Sequence, residues 1–373
     1  MPTKFGLIFI LLIIYFHPIV YAGAQNPKTV LNNEIFNQWQ NKAISFTPAV
    51  TDVSQGSSSV VVAIIDSGVD FNHYDLGTQL KYKNGWNFVN NSANTAPVPQ
   101  HIDSNNNGLY DEAVSHGTEI AGIIAGQGKD VLGIVPKIKI LDIKIYDSNG
   151  GSYNVLQAFN YVYNLSLVDH HIKVINFSGS ISGSNLGAFN NTFSELLKNN
   201  VSIVSISGNN YNEGIYNVSY PGNYPGVISV GAINKNLQVA SFSQRGTNLD
   251  FVAPGENVFS LAINNQIDNN IDGTSIAAPF YTGAVAFLYS LNFKVPLTPE
   301  RVFSILKQSV TDLGPSGWDP TYGYGLLNMT KMIQIVKPLL NEPEPSLPIF
   351  ILILPIAIFF IIKINKSQFK EKK

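Results

Sequence analysis

The sequence predicts an α/β domain built on a doubly wound, mostly parallel sheet with helices on both faces. Short apolar, β-branched runs alternate with helical patterns, and no repeat or low-complexity break interrupts residues 33–338. Apolar residues make up 45% of the 373-residue chain, enough to bury a large core. A balanced net charge of −2 argues against a nucleic-acid partner, and the absence of cysteine excludes disulfide scaffolds, cysteine-ligated zinc and thiol catalysis.

Five short runs read as strands because each is apolar on both faces and is bounded by Gly, Asn, Asp or Ser. They cover residues 60–65, 138–146, 173–178, 201–207 and 226–233. Helical patterns lie between or after them, at residues 152–167, 186–199 and 275–291. Strand–helix alternation of this kind predicts a parallel sheet whose functional site lies at the carboxyl ends of the strands.

Both ends of the chain carry membrane-targeting patterns. An apolar run follows Lys4 and leads to small residues at 22–24, which predicts a signal peptide, with an uncleaved anchor as the alternative. Near the C-terminus an apolar stretch precedes five lysines, which predicts one membrane span with a cytoplasmic tail; a buried terminal strand or helix is the alternative. The predicted segments are a signal peptide (1–24), a catalytic domain (25–338), a Pro-rich linker (339–346), a transmembrane helix (347–364) and a basic cytoplasmic tail (365–373).

Four polar residues stand at the predicted strand ends or next to a helix, and each has an ordinary structural interpretation when taken alone. Asp66 could bind a ribose, hold a metal or cap a turn, and His116 could be a structural histidine among glycines. Ser275 opens an apolar helix, so Thr274 or Ser275 could simply be its N-cap, with Pro279 in the first turn. Asn209 follows a glycine, as asparagine often does in turns.

Together these four residues supply what a serine nucleophile requires. A serine hydroxyl needs a neutral imidazole within hydrogen-bond reach and a carboxylate that holds the imidazole in the correct tautomer. It also needs a donor aimed at the developing oxyanion. The chain offers a carboxylate, an imidazole, an amide and a hydroxyl, in the order Asp66, His116, Asn209 and Ser275.

The motifs around these residues are AIIDSGVD, SHGTEIAG, SGNN and GTSIAAP. In them the sequence resembles the subtilisin-like serine proteases, or subtilases, over roughly residues 33–338. The resemblance implies peptide-bond hydrolysis through an acyl-enzyme, with Ser275 as nucleophile, His116 as general base and then acid, Asp66 orienting His116, and Asn209 donating to the oxyanion. Glu119 stands where the family usually has a second histidine, and we expect only a local change from it.

The resemblance also implies a substrate-binding pocket. Its predicted residues are Ser178, Gly179, Ser180, Gly208 and Ser219. Ser219 stands where many relatives have glycine, so we expect a narrower pocket. Only about 10 residues separate the predicted signal cleavage from the start of the domain, so we expect no pro-domain of the usual size.

An Asn-rich loop has the donor spacing of a calcium site. Oxygen donors at alternate positions, a glycine for the sharp turn and a later acid suit Ca²⁺, although the loop fails the full EF-hand pattern and could be a solvated loop. The predicted ligands of this structural calcium are Asp103, Asn105, Asn107 and Asp111. Asp75 matches a family position that often ligates another calcium.

The sequence therefore predicts a secreted serine endopeptidase, anchored in the cell membrane by one span, with its catalytic domain outside the cytoplasm. Its expected partners are protein or peptide substrates and the membrane. The order of segments resembles that of the mycosins, which predicts a secretion-machinery partner. Two other functions stay open: an inactive subtilase-like scaffold that binds peptides or a surface complex, and an esterase that uses the same three residues.

Overall fold

The computed structural model describes residues 34–98, 112–147, 150–183 and 186–341. In chain order its strands are β1 Val61–Asp66, β2 Trp86–Asn87, β3 Lys139–Lys144, β4 Ile172–Phe177, β5 Ser202–Ile206, β6 Val227–Ile233, β7 Phe251–Pro254, β8 Val258–Ala262, β9 Gln266–Ile271, β10 Val310–Thr311 and β11 Leu326–Leu327. Its α-helices are α1 Trp39–Ala43, α2 Pro48–Val53, α3 Glu112–Ala125, α4 Val155–Val168, α5 Leu186–Lys198, α6 Thr274–Tyr289, α7 Pro299–Gln308 and α8 Met329–Val336. Short 3₁₀ helices cover Ile35–Asn37, Thr78–Leu80, Tyr211–Glu213 and Lys337–Leu339.

Nine of the described strands form one sheet in the order β10-β11-β7-β6-β5-β4-β1-β3-β2. Every neighbouring pair in it is parallel except β10 and β11. Strand β1 lies between β3 and β4, so the strand order reverses at β1, and such switch points are where open α/β sheets form their sites. The carboxyl end of β1 is Asp66.

Two apolar cores cover the two faces of this sheet, as the doubly wound prediction requires. Helices α3 and α6 contribute Ile120, Ile124 and Ala284 to one core. Helices α4 and α5 contribute Phe159 and Phe193 to the other, with their ring centroids 4.9 Å apart. All residues of β1, β5 and β6 are buried, because helices pack on both sides of these central strands.

The remaining two strands, β8 and β9, form a separate antiparallel hairpin that packs on α3. The Ser260 hydroxyl of this hairpin donates to the carbonyl of Glu119 in α3 at 2.7 Å. A Cβ at Gly122 would stand 2.6 Å from Ser260 Oγ, so the hairpin fits this closely only because α3 has a glycine there. The hairpin thereby packs closely on the helix that carries His116.

Several predicted segments lie outside the described residues. These are the signal peptide, the transmembrane helix, the basic tail, the linker beyond Asn341 and the calcium ligands Asp103, Asn105, Asn107 and Asp111. Within the described ranges, no helix has both the length and the apolar character needed to span a bilayer.

Candidate active site

Asp66 and His116 form a close pair at the end of β1. The imidazole Nδ1 of His116 lies 2.9 Å from Oδ1 and 3.0 Å from Oδ2 of Asp66. The Asp66 side chain is fully buried, whereas that of His116 is 23% exposed, so the ring reaches the surface beside a buried carboxylate. Since an ionised carboxylate can only accept, Nδ1 is the donor, and the Nε2 of a neutral ring carries the lone pair.

The loop after Asp66 locks this pair in place. The backbone N–H of Ser67 donates to Asp66 Oδ1 at 2.7 Å. The Ser67 hydroxyl donates to the Val114 carbonyl at 3.2 Å and accepts from the N–H of Gly117 at 3.0 Å, which ties the loop to the helix that carries His116. A Cβ at Gly117 would stand 2.5 Å from the carbonyl oxygen of Gly68, so glycine is required where helix and loop meet.

Ser275 is the second residue of α6 and does not cap it. The N-cap is Gly273, which has no side chain to make a cap hydrogen bond, so the interpretation of Thr274 or Ser275 as a simple N-cap is wrong. Pro279 lies inside α6, not in its first turn as the sequence suggested. Because proline has no N–H, Pro279 cannot donate to the carbonyl of Ser275, four residues earlier.

The Ser178 hydroxyl takes the place of that missing donor. It donates to the carbonyl oxygen of Ser275 at 2.8 Å and accepts from Nδ2 of Asn176 at 2.9 Å. The Asn176 Oδ1 in turn accepts from the hydroxyl of Thr282, further along α6, at 2.7 Å. A chain of buried hydrogen bonds therefore holds the start of α6 against the end of β4.

Asn209 is fixed by the residue that precedes Ser275. The Oδ1 of Asn209 accepts from the N–H of Thr274 at 2.9 Å and from its hydroxyl at 2.7 Å. The same hydroxyl accepts from the N–H of Gly208 at 3.2 Å. A Cβ placed on Gly273 would stand 2.6 Å from Ser275 Oγ and 3.6 Å from Asn209 Nδ2, so hydroxyl and amide flank one small space.

The described contacts thus pair His116 with Asp66 at the end of β1, and bring Ser275 close to Asn209 at the start of α6. The profile of the subtilase family, peptidase S8, matches residues 57–325. The chain belongs to the subtilase family.

Curated relatives agree with this assignment. Subtilisin E of Bacillus subtilis is 32% identical over 294 residues, which cover 77% of this chain and 69% of that protein. Fervidolysin of Fervidobacterium pennivorans is 30% identical over 345 residues, 85% of this chain and 46% of the relative. The cell wall-associated protease of Bacillus subtilis is 32% identical over 278 residues, 74% of this chain and 28% of the relative.

A solved structure described as a lanthipeptide protease matches with a TM-score of 0.64 at 24% identity, over 81% of this subtilase and 95% of that chain. At that identity the match supports the shared fold. The family and its curated members are serine endopeptidases, and the subtilase described here is a serine protease.

The predicted pocket residues of the subtilase occupy different environments. Ser178 is buried, with its hydroxyl turned to the Ser275 carbonyl, and Gly179 packs so closely that a Cβ would stand 2.9 Å from the ring of Phe177. Ser180 is exposed directly beyond them. The other two predicted residues, Gly208 and Ser219, lie together beside Asn209.

Gln244 joins Gly208 and Ser219, and the sequence interpretation missed it. This fully buried glutamine donates from its backbone N–H to the Gly208 carbonyl at 2.8 Å. Its Oε1 accepts from the N–H of Asn210 at 3.2 Å and from the Ser219 hydroxyl at 3.3 Å, and its Nε2 donates to the Asn217 carbonyl. Gln244 thus braces the backbone on both sides of Asn209. Gln244 stands in the segment ASFSQRG, residues 240–246, but nothing in the sequence shows that its side-chain amide is buried.

Asp75, a predicted calcium ligand, is held by backbone amides. Its Oδ1 accepts from the N–H of Lys129 at 2.9 Å, and its Oδ2 accepts from those of Asp130 at 2.9 Å and Val131 at 2.8 Å. These three bonds order the loop after α3 through the carboxylate itself. Among the described residues, no group of three or more His, Asp or Glu side chains is arranged to hold a metal ion.

Proposed function

We propose that this subtilase hydrolyses peptide bonds in proteins or peptides, with Ser275 as nucleophile and His116, Asp66 and Asn209 in supporting roles. The observation that carries the proposal is the 2.9 Å contact between His116 Nδ1 and Asp66, because it leaves Nε2 as the basic nitrogen of a partly exposed ring. The alternative roles considered for Asp66, a ribose or metal ligand, do not account for this pairing.

The proposed reaction has two halves. Ser275 Oγ attacks the scissile carbonyl carbon while its proton passes to His116 Nε2, and the new oxyanion accepts a hydrogen bond from Asn209 Nδ2. The C–N bond then breaks, His116 returns the proton to the leaving amine, and an ester forms on Ser275. In the second half a water loses a proton to His116 and attacks the ester carbonyl; the bond to Ser275 Oγ then breaks, His116 returns the proton to that oxygen, and the acid is released. Asp66 keeps its Nδ1–H bond throughout and stabilises the imidazolium.

Labelling and substrate cleavage test this proposal. A fluorophosphonate probe should modify Ser275, as read by peptide mass spectrometry, and casein should be cleaved. Ser275→Ala should lose both signals, with hydrolysis falling about 10⁶-fold, the scale known for the triad serine of a subtilisin. A folded protein that takes no label would indicate the inactive scaffold. Cleavage of short-chain esters but not of casein would indicate the esterase.

We also propose that the enzyme acts outside the cytoplasm, anchored by residues 347–364. Support comes from the sequence patterns at both ends and from the similarity to a cell wall-associated protease. A cell producing the full chain should retain the activity in its membrane fraction, accessible to an externally added inhibitor. A variant that ends at Asn341 should release the activity into the medium. Soluble activity from the full chain would contradict anchoring, and the mycosin-like secretion partner proposed with it would lose its basis.

A structural calcium in the Asn-rich loop is part of the same proposal. The donor set of Asp103, Asn105, Asn107 and Asp111 consists of hard oxygen ligands, which suit Ca²⁺. The bound ion would stabilise the loop and would take no part in the proton transfers.

A further inference from the structure

Asp142 is a buried acid that the proposed reaction does not use. It lies on β3 and is 1% exposed, and Lys144, two residues further along the same strand, is 5% exposed. Because side chains alternate along a strand, Asp142 and Lys144 project to the same face of the sheet. The parallel register pairs Asp142 with Ile64 and Lys144 with Asp66, so this acid–lysine pair lies beside the carboxylate that contacts His116.

Both side chains hold the short loop that follows Asp66. Asp142 Oδ2 accepts from the backbone N–H of Val69 at 3.1 Å, and the Lys144 ammonium donates to the carbonyl of Ser67. The same loop is tied on its other side to α3, through the Ser67 hydroxyl and Gly117. Residues 67–69 are therefore fixed between β3 and the helix of His116, and their position sets that of Asp66.

The environment of Asp142 is polar but incompletely satisfied. Its Oδ1 and the Thr95 hydroxyl are both buried and make no hydrogen bond of regular geometry with a described residue, but they lie close enough for the hydroxyl to stabilise the carboxylate. Burial raises the pKa of Asp142 to about 7; the nearby Thr95 hydroxyl, the Val69 amide and the ammonium groups of Lys144 and Lys81 oppose this rise. Burial lowers the pKa of Lys144, and the carboxylates of Asp142, Asp66 and Asp147 oppose that. The Lys144 ammonium thus interacts electrostatically with the carboxylates of both Asp142 and Asp66.

We propose that Asp142 and Lys144 are positioning residues of the active site, which hold residues 67–69 and through them the Asp66–His116 pair. The inference rests on the proposed function. It assigns to this pair a role that acts through the backbone of residues 67–69 and not on the reacting atoms. Because Lys144 interacts with both carboxylates, a change in the protonation state of Asp142 also changes the electrostatic environment of Asp66.

Two substitutions at one position separate positioning from general stability. Asp142→Ala removes the acceptor of the Val69 N–H, whereas Asp142→Asn keeps an oxygen there but cannot ionise. Asp250→Ala is the matched control, because Asp250 is a partly buried acid whose pKa is also raised by burial, to about 6, but it accepts from the backbone N–H of Ser229, away from the site. Rates are normalised to active sites titrated with a fluorophosphonate, so that an unfolded fraction does not count.

For Asp142→Ala we expect kcat to fall ~10–100-fold with little change in KM, the scale of a small misplacement of catalytic groups. Asp142→Asn should recover most of kcat but shift the pH profile of kcat/KM, because the ionisation of Asp142 no longer acts through Lys144 on the Asp66–His116 pair. Asp250→Ala should lower the melting temperature with kcat per titrated site unchanged.

The inference would be overturned if Asp142→Ala had the kcat per titrated site and the pH profile of the wild-type protein. If that variant does not fold, the pH profile of Asp142→Asn decides, and a profile that coincides with that of the wild type overturns the inference. Failure of the proposed function itself looks different, because the wild-type protein would then neither label nor cleave.

Discussion

Asn209 is an exposed residue whose orientation is nevertheless fixed, because Thr274 donates twice to its Oδ1. Its Nδ2 is thereby turned toward the space it shares with Ser275. We predict that Asn209→Ala lowers kcat about 10²–10³-fold with KM within about threefold, the range found when a subtilisin loses this kind of donor. Steady-state kinetics on a peptide substrate measures both constants.

Asn210→Ala is the control for this prediction. The Asn210 side chain donates to Glu213 at 2.8 Å, on the exposed side of the same loop, so its loss should leave kcat near the wild-type value. Equal effects of the two substitutions would mean that the loop, and not the Asn209 amide, matters for the rate.

Asp142 also makes stability depend on pH. In the unfolded chain its carboxyl ionises near the ordinary pKa of 3.8, whereas burial keeps the proton on in the folded protein up to about pH 7. Between these values the folded state binds more protons, so the free energy of unfolding falls as pH rises. We predict that Asp142→Asn, which cannot ionise, gains on the order of 2–4 kcal/mol relative to its parent between pH 4 and pH 7.

Thermal melts at several pH values, in a Ser275→Ala background that prevents self-digestion, measure this difference. Asp250→Asn should show the same trend, but only up to about pH 6. Melting curves of Asp142→Asn and its parent that stay parallel across this range would contradict the prediction.

Residues with a required chemistry were the ones that the sequence could predict. Asp66 and His116 were expected to pair, because a serine nucleophile needs both, and they lie 2.9 Å apart. Gln244 and Asp142 were not anticipated, because their roles depend on which backbone groups come near them after folding. A buried Gln or Asp looks the same in sequence as an exposed one when it stands in a polar loop or an alternating strand.

Helix α6 shows how one element compensates for a proline in its interior. The Ser275 carbonyl lacks a donor at position 279 and receives one from Ser178. We predict that Ser178→Ala lowers the free energy of unfolding by about 1–3 kcal/mol, because it leaves this buried carbonyl unpaired. In a Pro279→Ala background, where the backbone N–H of residue 279 can bond the carbonyl, the same substitution should cost clearly less.

A double-mutant cycle by urea denaturation measures that coupling, again with residue 275 as alanine. The coupling should exceed about 0.5 kcal/mol, the usual limit of additivity between independent sites. Additive effects would show that the two donors do not serve the same carbonyl.

The buried central strands could be predicted from the sequence, whereas the short or polar strands could not. The five expected strands became β1, β3, β4, β5 and β6, and none of their ends moved by more than two residues. Strand β7, from Phe251 to Pro254, was not predicted as a strand, because four residues carry too little periodicity. Strand β9 reads QIDNNI, a polar composition typical of a loop, and it is a strand only because β8 pairs with it.

At the scale of the whole molecule, the proposed calcium site and the backbone bonds of Asp75 concern different loops. We predict that a chelator lowers the melting temperature, because calcium bound at the proposed site would add about 2.7 kcal/mol at a hundredfold excess over its Kd. Asp103→Ala should remove the response to chelator. Asp75→Asn should lower the melting temperature equally with and without calcium, since its carboxylate holds backbone N–H groups. An unchanged melting curve with chelator would remove the calcium proposal.

The overall architecture was predictable because strand–helix alternation leaves few ways to cover a parallel sheet on both faces. The switch point at β1 was not predicted, because strand order depends on packing between distant segments. This order places β1 between β3 and β4. Asp66 therefore lies beside Lys144 of β3 on one side, and near β4, which Ser178 follows, on the other.

The dependence of the Ser275 carbonyl on Ser178 also restricts the order in which substitutions can accumulate in this protein. A lineage that loses Ser178 first passes through a form with an unpaired buried oxygen, whereas one that first replaces Pro279 gains a backbone donor and is then free to lose the serine. Relatives that lack the serine at position 178 should therefore also lack the proline at position 279, whereas relatives that have lost only the proline should occur.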